Sequence, residues 1–84
     1  MKALLDLLTE RQRQSGMWSA DHDDGHTSQD WDRFIRCRLD EFYSDNPGGG
    51  TTPERRRREL MIHIAALALA ALEADDRGGL AMRT

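Results

Sequence analysis

The feature that most constrains this fold is an apolar run from Leu60 to Leu72, LMIHIAALALAAL, which only His63 interrupts. Leucine, methionine and alanine favour helix, and no glycine or proline lies between Glu54 and Gly78. The run is apolar on every face of a helix, so it must be buried all round or lie in a membrane. Because a membrane span needs about 20 apolar residues, the run is too short and predicts the central helix of a bundle.

The sequence predicts an all-α fold of three helices in a single domain. The expected helices cover roughly residues 2–14, 28–43 and 53–75. Thr52 is placed to cap the third helix, and Pro53 suits its first position. Apolar residues of the second helix recur at helical spacing and give one apolar face. No stretch of the sequence alternates like a strand.

Three segments outside these helices are predicted to be irregular. Residues 17–27 form a polar loop that contains Trp18. Residues 44–52 contain Asn-Pro followed by three glycines, which predicts a flexible loop. Residues 76–84 are predicted to be a loose C-terminal tail.

Two shorter helices are too few to surround a third that is apolar on every face. The remaining apolar face would be exposed in a monomer, and such a patch usually marks an interface. A homodimer that pairs the long helices is the simplest solution. The predicted dimer interface consists of Leu60, Ile64, Leu67, Ala68 and Ala71.

Charge and cysteine content limit the class of protein. The formal net charge is only −3, which gives no general argument for nucleic-acid binding. Cys37 is the one cysteine, so the chain has no internal disulfide, as suits a reducing cytoplasm. Residues 1–14 carry charges unlike those of a signal peptide. We therefore expect a cytoplasmic protein.

The first candidate functional site is the segment His22-Asp23-Asp24-Gly25-His26. Its two histidines and two aspartates, with Asp21 before them, contain the side chains that bind divalent metals. The spacing matches no standard site, and a solvated turn is the favoured alternative. Another alternative is that Asp21, Asp23 and Asp24 contact a partner by imitating nucleic-acid phosphates.

A cluster of four arginines precedes the apolar run. Arg55, Arg56, Arg57 and Arg58 lie in the first turns of the third helix, where free amide groups and guanidinium groups together can bind an anion. The favoured alternative is a solvated basic face. His63 is more typical of a buried or interfacial histidine than of a ligand.

The order of these features resembles the small MazG-like, all-α nucleotide pyrophosphohydrolases that phages and prophages often carry. The resemblance runs from about Leu4 to Arg77 and rests on LLTERQRQ, WSADHDDGHT, WDRFIRCRLDEF and RRRELMIHIAALALAALEADDR. It implies a dimeric or tetrameric helical bundle. It also implies carboxylates on the second and third helices that hold Mg²⁺ for attack of water on a nucleoside triphosphate.

Most of the implied metal ligands do not match. The paired glutamates of the second helix fall on Cys37 and Arg38, and only Glu41 matches there. On the third helix the family's carboxylates fall on Leu60 and His63, or on Glu59 and Ile62 after a shift of one residue. Glu41 and His63 are therefore the candidate metal ligands, and a Mg²⁺ site needs more oxygen ligands than these supply.

We therefore expect a non-catalytic interaction protein on a degenerate MazG-like scaffold, with no cofactor. Its partner would be a macromolecule, more plausibly a protein than a nucleic acid. A phage or mobile-element inhibitor of a host defence system, of the anti-CRISPR type, is one special case. If a phage encodes the chain, we expect it in the host cytoplasm. The alternatives are a divergent Mg²⁺-dependent nucleoside triphosphate pyrophosphohydrolase and a nucleotide-binding protein without hydrolysis.

Overall fold

A computed structural model describes residues 1–43 and 52–83, and within these ranges the chain forms four helices and no strand. This confirms the predicted all-α fold. In the same ranges, none of the helices is both long enough and apolar enough to cross a bilayer. The helices are α1 (Lys2–Met17), α2 (Ala20–Asp24), α3 (Ser28–Phe42) and α4 (Pro53–Asp76).

The starts of α3 and α4 are fixed by side-chain caps. The Thr52 hydroxyl accepts a hydrogen bond from the Arg55 backbone N–H at 3.2 Å, and Pro53 occupies the first turn. Thr27 and Asp30 form a capping box, in which each side chain accepts from the other residue's backbone N–H. These contacts satisfy amide groups that a helix start leaves without intrahelical partners.

Helix α4 is central, because α1, α2 and α3 all pack against it. Glu41 near the end of α3 pairs with Arg56 near the start of α4, so these two helices are antiparallel. Asp6 pairs with Arg58, and Arg11 one turn later reaches Glu73, so α1 and α4 run in the same direction.

The main core forms where α3 meets the second half of α4. The indole of Trp31 is 5% exposed and packs on small alanine side chains, which allow its large ring to approach the α4 backbone. Half-buried Phe34 and Leu67 extend this cluster. The alanines are Ala70, Ala71, Ala74 and Ala81.

The prediction of one continuous polar loop at 17–27 is wrong. Helix α1 continues to Met17, and α2 forms after it. The Ser19 hydroxyl caps α2 by accepting from the His22 backbone N–H at 3.2 Å. The chain therefore has four helices in the described ranges instead of the predicted three.

The prediction of a loose tail from residue 76 is also wrong for residues 77–83. The Leu80 N–H donates to the Asp24 carbonyl, and the Arg83 carbonyl accepts from the Ser28 N–H, both at 2.9 Å. Ala81 is fully buried. The chain reverses at Gly78, whose φ of 81° favours glycine. The predicted flexible loop at 44–52 lies outside the described residues except for Thr52.

Candidate functional site

A cleft lies between α1 and α3, with α4 as its floor. Its volume is about 450 Å³, within the range of roughly 300–1,000 Å³ that is typical of ligand pockets. α1 and α2 supply one part of the lining, and α3 and α4 supply the rest. The lining residues are Arg11, Gln14, Trp18, His22, Asp23, His26, Trp31, Phe34, Cys37, Arg38, Leu67 and Ala70.

Aromatic rings line the cleft in a connected series. The rings of Trp18 and His22 are nearly parallel with centroids 6.2 Å apart, and His26 meets the His22 ring edge-on at 4.7 Å. His26 also lies edge-on to Trp31 at 5.3 Å and to Phe34 at 5.1 Å. Such stacked and edge-on contacts hold aromatic rings in defined orientations. The series therefore fixes the shape of this wall of the cleft.

Trp31 carries an orphan polar group at this site. Its indole Nε1 is buried and has no hydrogen-bond partner within the described part of the chain. Buried indole N–H groups usually find an acceptor, because burial removes the hydrogen bond to water. Trp31 therefore carries a buried donor that no described residue satisfies.

Arg11 closes the polar end of the cleft. Its guanidinium pairs with Glu73 on α4 and contacts the Asp23 carboxylate on α2 at 3.5 Å. The side chain of Arg11 is 12% exposed and residue Asp23 is 6% exposed. These two contacts link α1 to α2 and to α4. They also help to position His22, which precedes Asp23 in the sequence.

The acidic segment is not the free surface that phosphate imitation requires. Asp23 is buried against Arg11, and Asp24 accepts two hydrogen bonds from Arg77 at 2.7 and 3.0 Å. Asp21 alone of these three is exposed. His22 and His26 contribute to the aromatic lining and gather no third ligand, since the described residues contain no group of three His, Cys, Asp or Glu side chains placed for a metal.

Two of the four clustered arginines, Arg56 and Arg58, form ion pairs within the chain. Arg56 donates to Glu41 at 2.6 Å and to Glu59 at 3.3 Å, while Arg58 donates to Asp6 at 2.8 Å. Arg55 and Arg57 are exposed. The cluster therefore anchors α4 to α1 and α3, and only part of it is available to an anion.

The two candidate metal ligands lie in surroundings that are unfavourable for Mg²⁺. The Arg56 hydrogen bond, with smaller contributions from Arg38, holds the pKa of Glu41 below its usual value. Burial lowers the pKa of His63, although Glu10, whose carboxylate lies 3.7 Å from the ring, opposes this. Glu41 thus faces guanidinium groups, and His63 is a neutral nitrogen ligand where Mg²⁺ prefers oxygen.

The residues predicted for the dimer interface are mostly covered by their own chain. Leu60 is fully buried and Ala71 is 3% exposed. Ile64, Leu67 and Ala68 are half-buried, because α1 and α3 pack on both sides of α4. Three exposed leucines instead lie close together on α1, where Leu4, Leu5 and Leu8 are 49%, 61% and 49% exposed.

Sequence reasoning found several of these residues but assigned them other roles. Trp31 and Phe34 belong to the predicted apolar face, whereas Arg11, Gln14 and the cleft itself were not predicted. The four-residue spacing of His22 and His26 was the only local signal for the ring series. Comparisons with family models, curated proteins and solved structures find no match to this chain, so the MazG-like resemblance stays a prediction.

Proposed function

We propose that this chain is a non-catalytic binding protein that holds a partner group in the cleft between α1 and α3. The observation that carries the proposal is the ring-lined cleft itself, which is open to a partner and preformed. Concave sites with mainly apolar and aromatic lining and a few fixed polar groups are typical of binding sites. In this chain Arg11 and Asp23 supply those polar groups.

The charged groups favour binding over hydrolysis. Glu41 and Asp24 are each held by guanidinium groups, and Asp23 contacts Arg11. Mg²⁺-dependent attack on a phosphate needs several carboxylates directed at the metal. The pyrophosphohydrolase alternative therefore has no arrangement of side chains in its favour among the described residues.

A protein partner suits this surface better than a nucleic acid. Exposed aromatic side chains such as Trp18, which is 42% exposed, are enriched where proteins bind one another. The acids and arginines that would meet a nucleic acid or its binding groove are largely paired within the chain. An inhibitor of a host defence system is still one special case of the proposal, and it would act through the cleft.

We further propose that the chain is a homodimer that pairs through α1. Leu4, Leu5 and Leu8 follow the i, i+1, i+4 pattern of one helical face, and each is about half exposed. In the monomer this apolar stripe faces water, and pairing with a second copy would bury it. We therefore propose α1 as the dimer interface, in place of the long helix α4 that the sequence predicted.

Replacing Leu5 and Leu8 with glutamine is expected to convert a dimer into a monomer, because the polar side chains remove the apolar contact at the centre of the stripe. Sedimentation velocity measures the change in mass. Leu72→Gln is the matched control, since Leu72 is 53% exposed on α4 and lies beside Ile35 of α3 and Met82 of the tail. A wild-type chain that sediments as a monomer at high micromolar concentration contradicts the dimer.

Blocking the cleft is expected to weaken partner binding at least tenfold. Cys37 is the only cysteine, is exposed and lines the cleft, so N-ethylmaleimide adds bulk at that one place. A peptide library panned on the protein should yield aromatic sequences that bind the free protein at least tenfold tighter than the labelled one, a difference of about 1.4 kcal/mol.

The Cys37→Ser variant treated with the same reagent is the control and should bind like the untreated wild type. If the peptides bind the labelled and the free protein equally well, they bind outside the cleft. Steady release of pyrophosphate from nucleoside triphosphates with Mg²⁺ or Mn²⁺, by purified protein, contradicts the non-catalytic assignment.

A further inference from the structure

We propose that His22, with His26 beside it, makes the cleft select its guest by pH, so that in mild acid the cleft prefers a guest with a carboxylate over a neutral guest of similar shape. The inference rests on the proposed function of the cleft and adds the chemical class of its guest. Three observations support it: the contact between the two imidazole rings, their unequal access to a counter-charge, and the pairing of the other charges around them.

The two imidazole rings are neighbours in the wall of the cleft. Both His22 and His26 line it, and their ring centroids lie 4.7 Å apart. Imidazole is the side chain that ordinarily changes its charge between about pH 5 and 8. Mild acid therefore adds positive charge to adjacent rings, and two positive charges at this separation repel each other.

The two rings differ in their access to a counter-charge. The Nδ1 atom of His26 lies 3.7 Å from the carboxylate of Asp30, which accepts a hydrogen bond from the Thr27 backbone N–H at 3.0 Å. Within the described ranges His26 and His63 each lie near a carboxylate, whereas His22 forms no ion pair. His22 is also exposed. Acid therefore leaves an uncompensated positive charge at His22.

The other charged groups around the histidines come from all four helices and the tail, and most form ion pairs within the chain. These pairs are Arg11 with Asp23 and Glu73, Arg38 with Glu41, and Asp24 with Arg77. Asp21 is exposed, but residues adjacent in a helix do not face each other, so it does not face His22. Cys37 is the remaining titratable group in the lining. Because carboxylates and guanidinium groups ordinarily keep their charge in mild acid, the change in charge falls on the histidines.

A positive charge at His22 changes which guest binds well. A neutral guest that covers the charged ring takes it out of water without a counter-charge, which costs free energy. A guest with a carboxylate supplies that counter-charge and accepts a charge-assisted hydrogen bond from the ring. The cleft therefore favours a neutral guest at high pH and a carboxylate guest in mild acid.

The test compares the binding of indole and indole-3-acetate by isothermal titration calorimetry at about pH 8 and about pH 5.5, between which imidazole changes its charge and a carboxylate stays largely ionised. The affinity of indole-3-acetate relative to that of indole is expected to rise roughly twofold to fivefold in acid, as one partly exposed ion pair provides. At about pH 6, titrations in buffers of different ionisation enthalpy should show proton uptake with indole-3-acetate and proton release with indole.

His22→Gln is expected to abolish the change with pH, because glutamine keeps a polar side chain but gains no charge. His63→Gln is the matched control and should keep the change, since His63 is not part of the cleft lining. If His22→Gln does not fold, the proton uptake and release of the wild-type protein decide the question.

The carboxylate has two sources, a free small acid or an acidic side chain of a protein partner. The indole pair reports the first source, and the N-acetyl dipeptide amides tryptophan–glutamate and tryptophan–glutamine report the second. A preference for the carboxylate that appears in acid within either pair, and is lost in His22→Gln, supports the inference. Affinity ratios that stay constant with pH in both pairs, or a change that survives in His22→Gln, overturn it and leave the cleft as a binding site. If no probe binds at either pH, the inference and the proposed role of the cleft fail together.

Discussion

Replacing Arg11 with methionine is expected to lower the free energy of unfolding by about 3 kcal/mol, because it leaves a buried carboxylate without its counter-charge. Asp23 is 6% exposed, and Arg11 is the one cation within 4 Å of its carboxylate among the described residues, while Arg77 interacts with it at longer range. Methionine keeps much of the aliphatic length of arginine, so the loss comes from charge and not from packing. Urea denaturation followed by tryptophan fluorescence measures the change.

Arg13→Met is the matched control, two positions along the same helix. Arg13 donates to Glu10 at 2.6 and 2.9 Å, but its side chain is 53% exposed, so its loss is expected to cost less than about 1 kcal/mol. Adding Asp23→Asn to Arg11→Met should restore part of the lost stability, since the buried charge is then gone. Equal costs for the two arginines would show that the Arg11 contact is no more than a surface ion pair.

Replacing Gly79 with alanine is expected to lower the free energy of unfolding by about 2 kcal/mol, as overpacking does in a closely packed region. A Cβ at this position would lie 2.9 Å from the Asp24 Cα and 3.0 Å from its carbonyl oxygen. Both are backbone atoms, so either α2 or the tail has to move. That movement would break the hydrogen bond from the Leu80 N–H to the Asp24 carbonyl.

Alanine substitutions at two other glycines are controls that distinguish this clash from the general effects of alanine. Gly16 lies in α1 with nothing within 4 Å of an added Cβ, so Gly16→Ala is expected to stabilise by about 0.5–1 kcal/mol. Gly78 also has free space, but its φ of 81° makes Gly78→Ala unfavourable by about 1–2 kcal/mol. Denaturation measures the stability of all three variants. Amide hydrogen exchange measures how well the amides of residues 80–83 are protected in each. Undiminished protection of those amides in Gly79→Ala would contradict the proposed clash.

The Gly79→Ala variant also tests whether the tail, residues 77–83, supports the lining of the cleft. Residues 77–83 hold the end of α2 through Asp24, and α2 carries His22 and Asp23 into the lining. A displaced tail is therefore expected to weaken binding of an aromatic probe as well as stability. Gly78→Ala, which strains the chain without a clash against α2, separates the two effects.

Sequence reasoning succeeded where the information was local. The Thr52 cap and Pro53 marked the start of α4, and helical spacing placed Trp31 and Phe34 on the apolar face of α3. It missed α2, because a helix of five residues has too short a pattern to recognise and depends on Ser19 and the tail for support.

It also failed wherever a residue's role depended on a distant partner. Asp23 was assigned to a solvent-facing acidic segment, since nothing near it in sequence shows that Arg11, 12 positions earlier, buries it. Asp24 and Arg77 are 53 positions apart. The orphan N–H of Trp31 was equally hidden, because satisfaction of a buried donor depends on every element packed around it.

The apolar run from Leu60 to Leu72 shows what the sequence determines and what the tertiary structure determines. The sequence by itself determined that this segment is helical and lies at the centre of the fold, because its residues favour helix and its faces are apolar. Only the tertiary structure decided that α1 and α3 cover it from two sides and leave a ring-lined cleft between them. The reason is physical: helix formation follows from neighbouring residues, whereas burial, ion pairing and clefts follow from contacts between elements far apart in the chain.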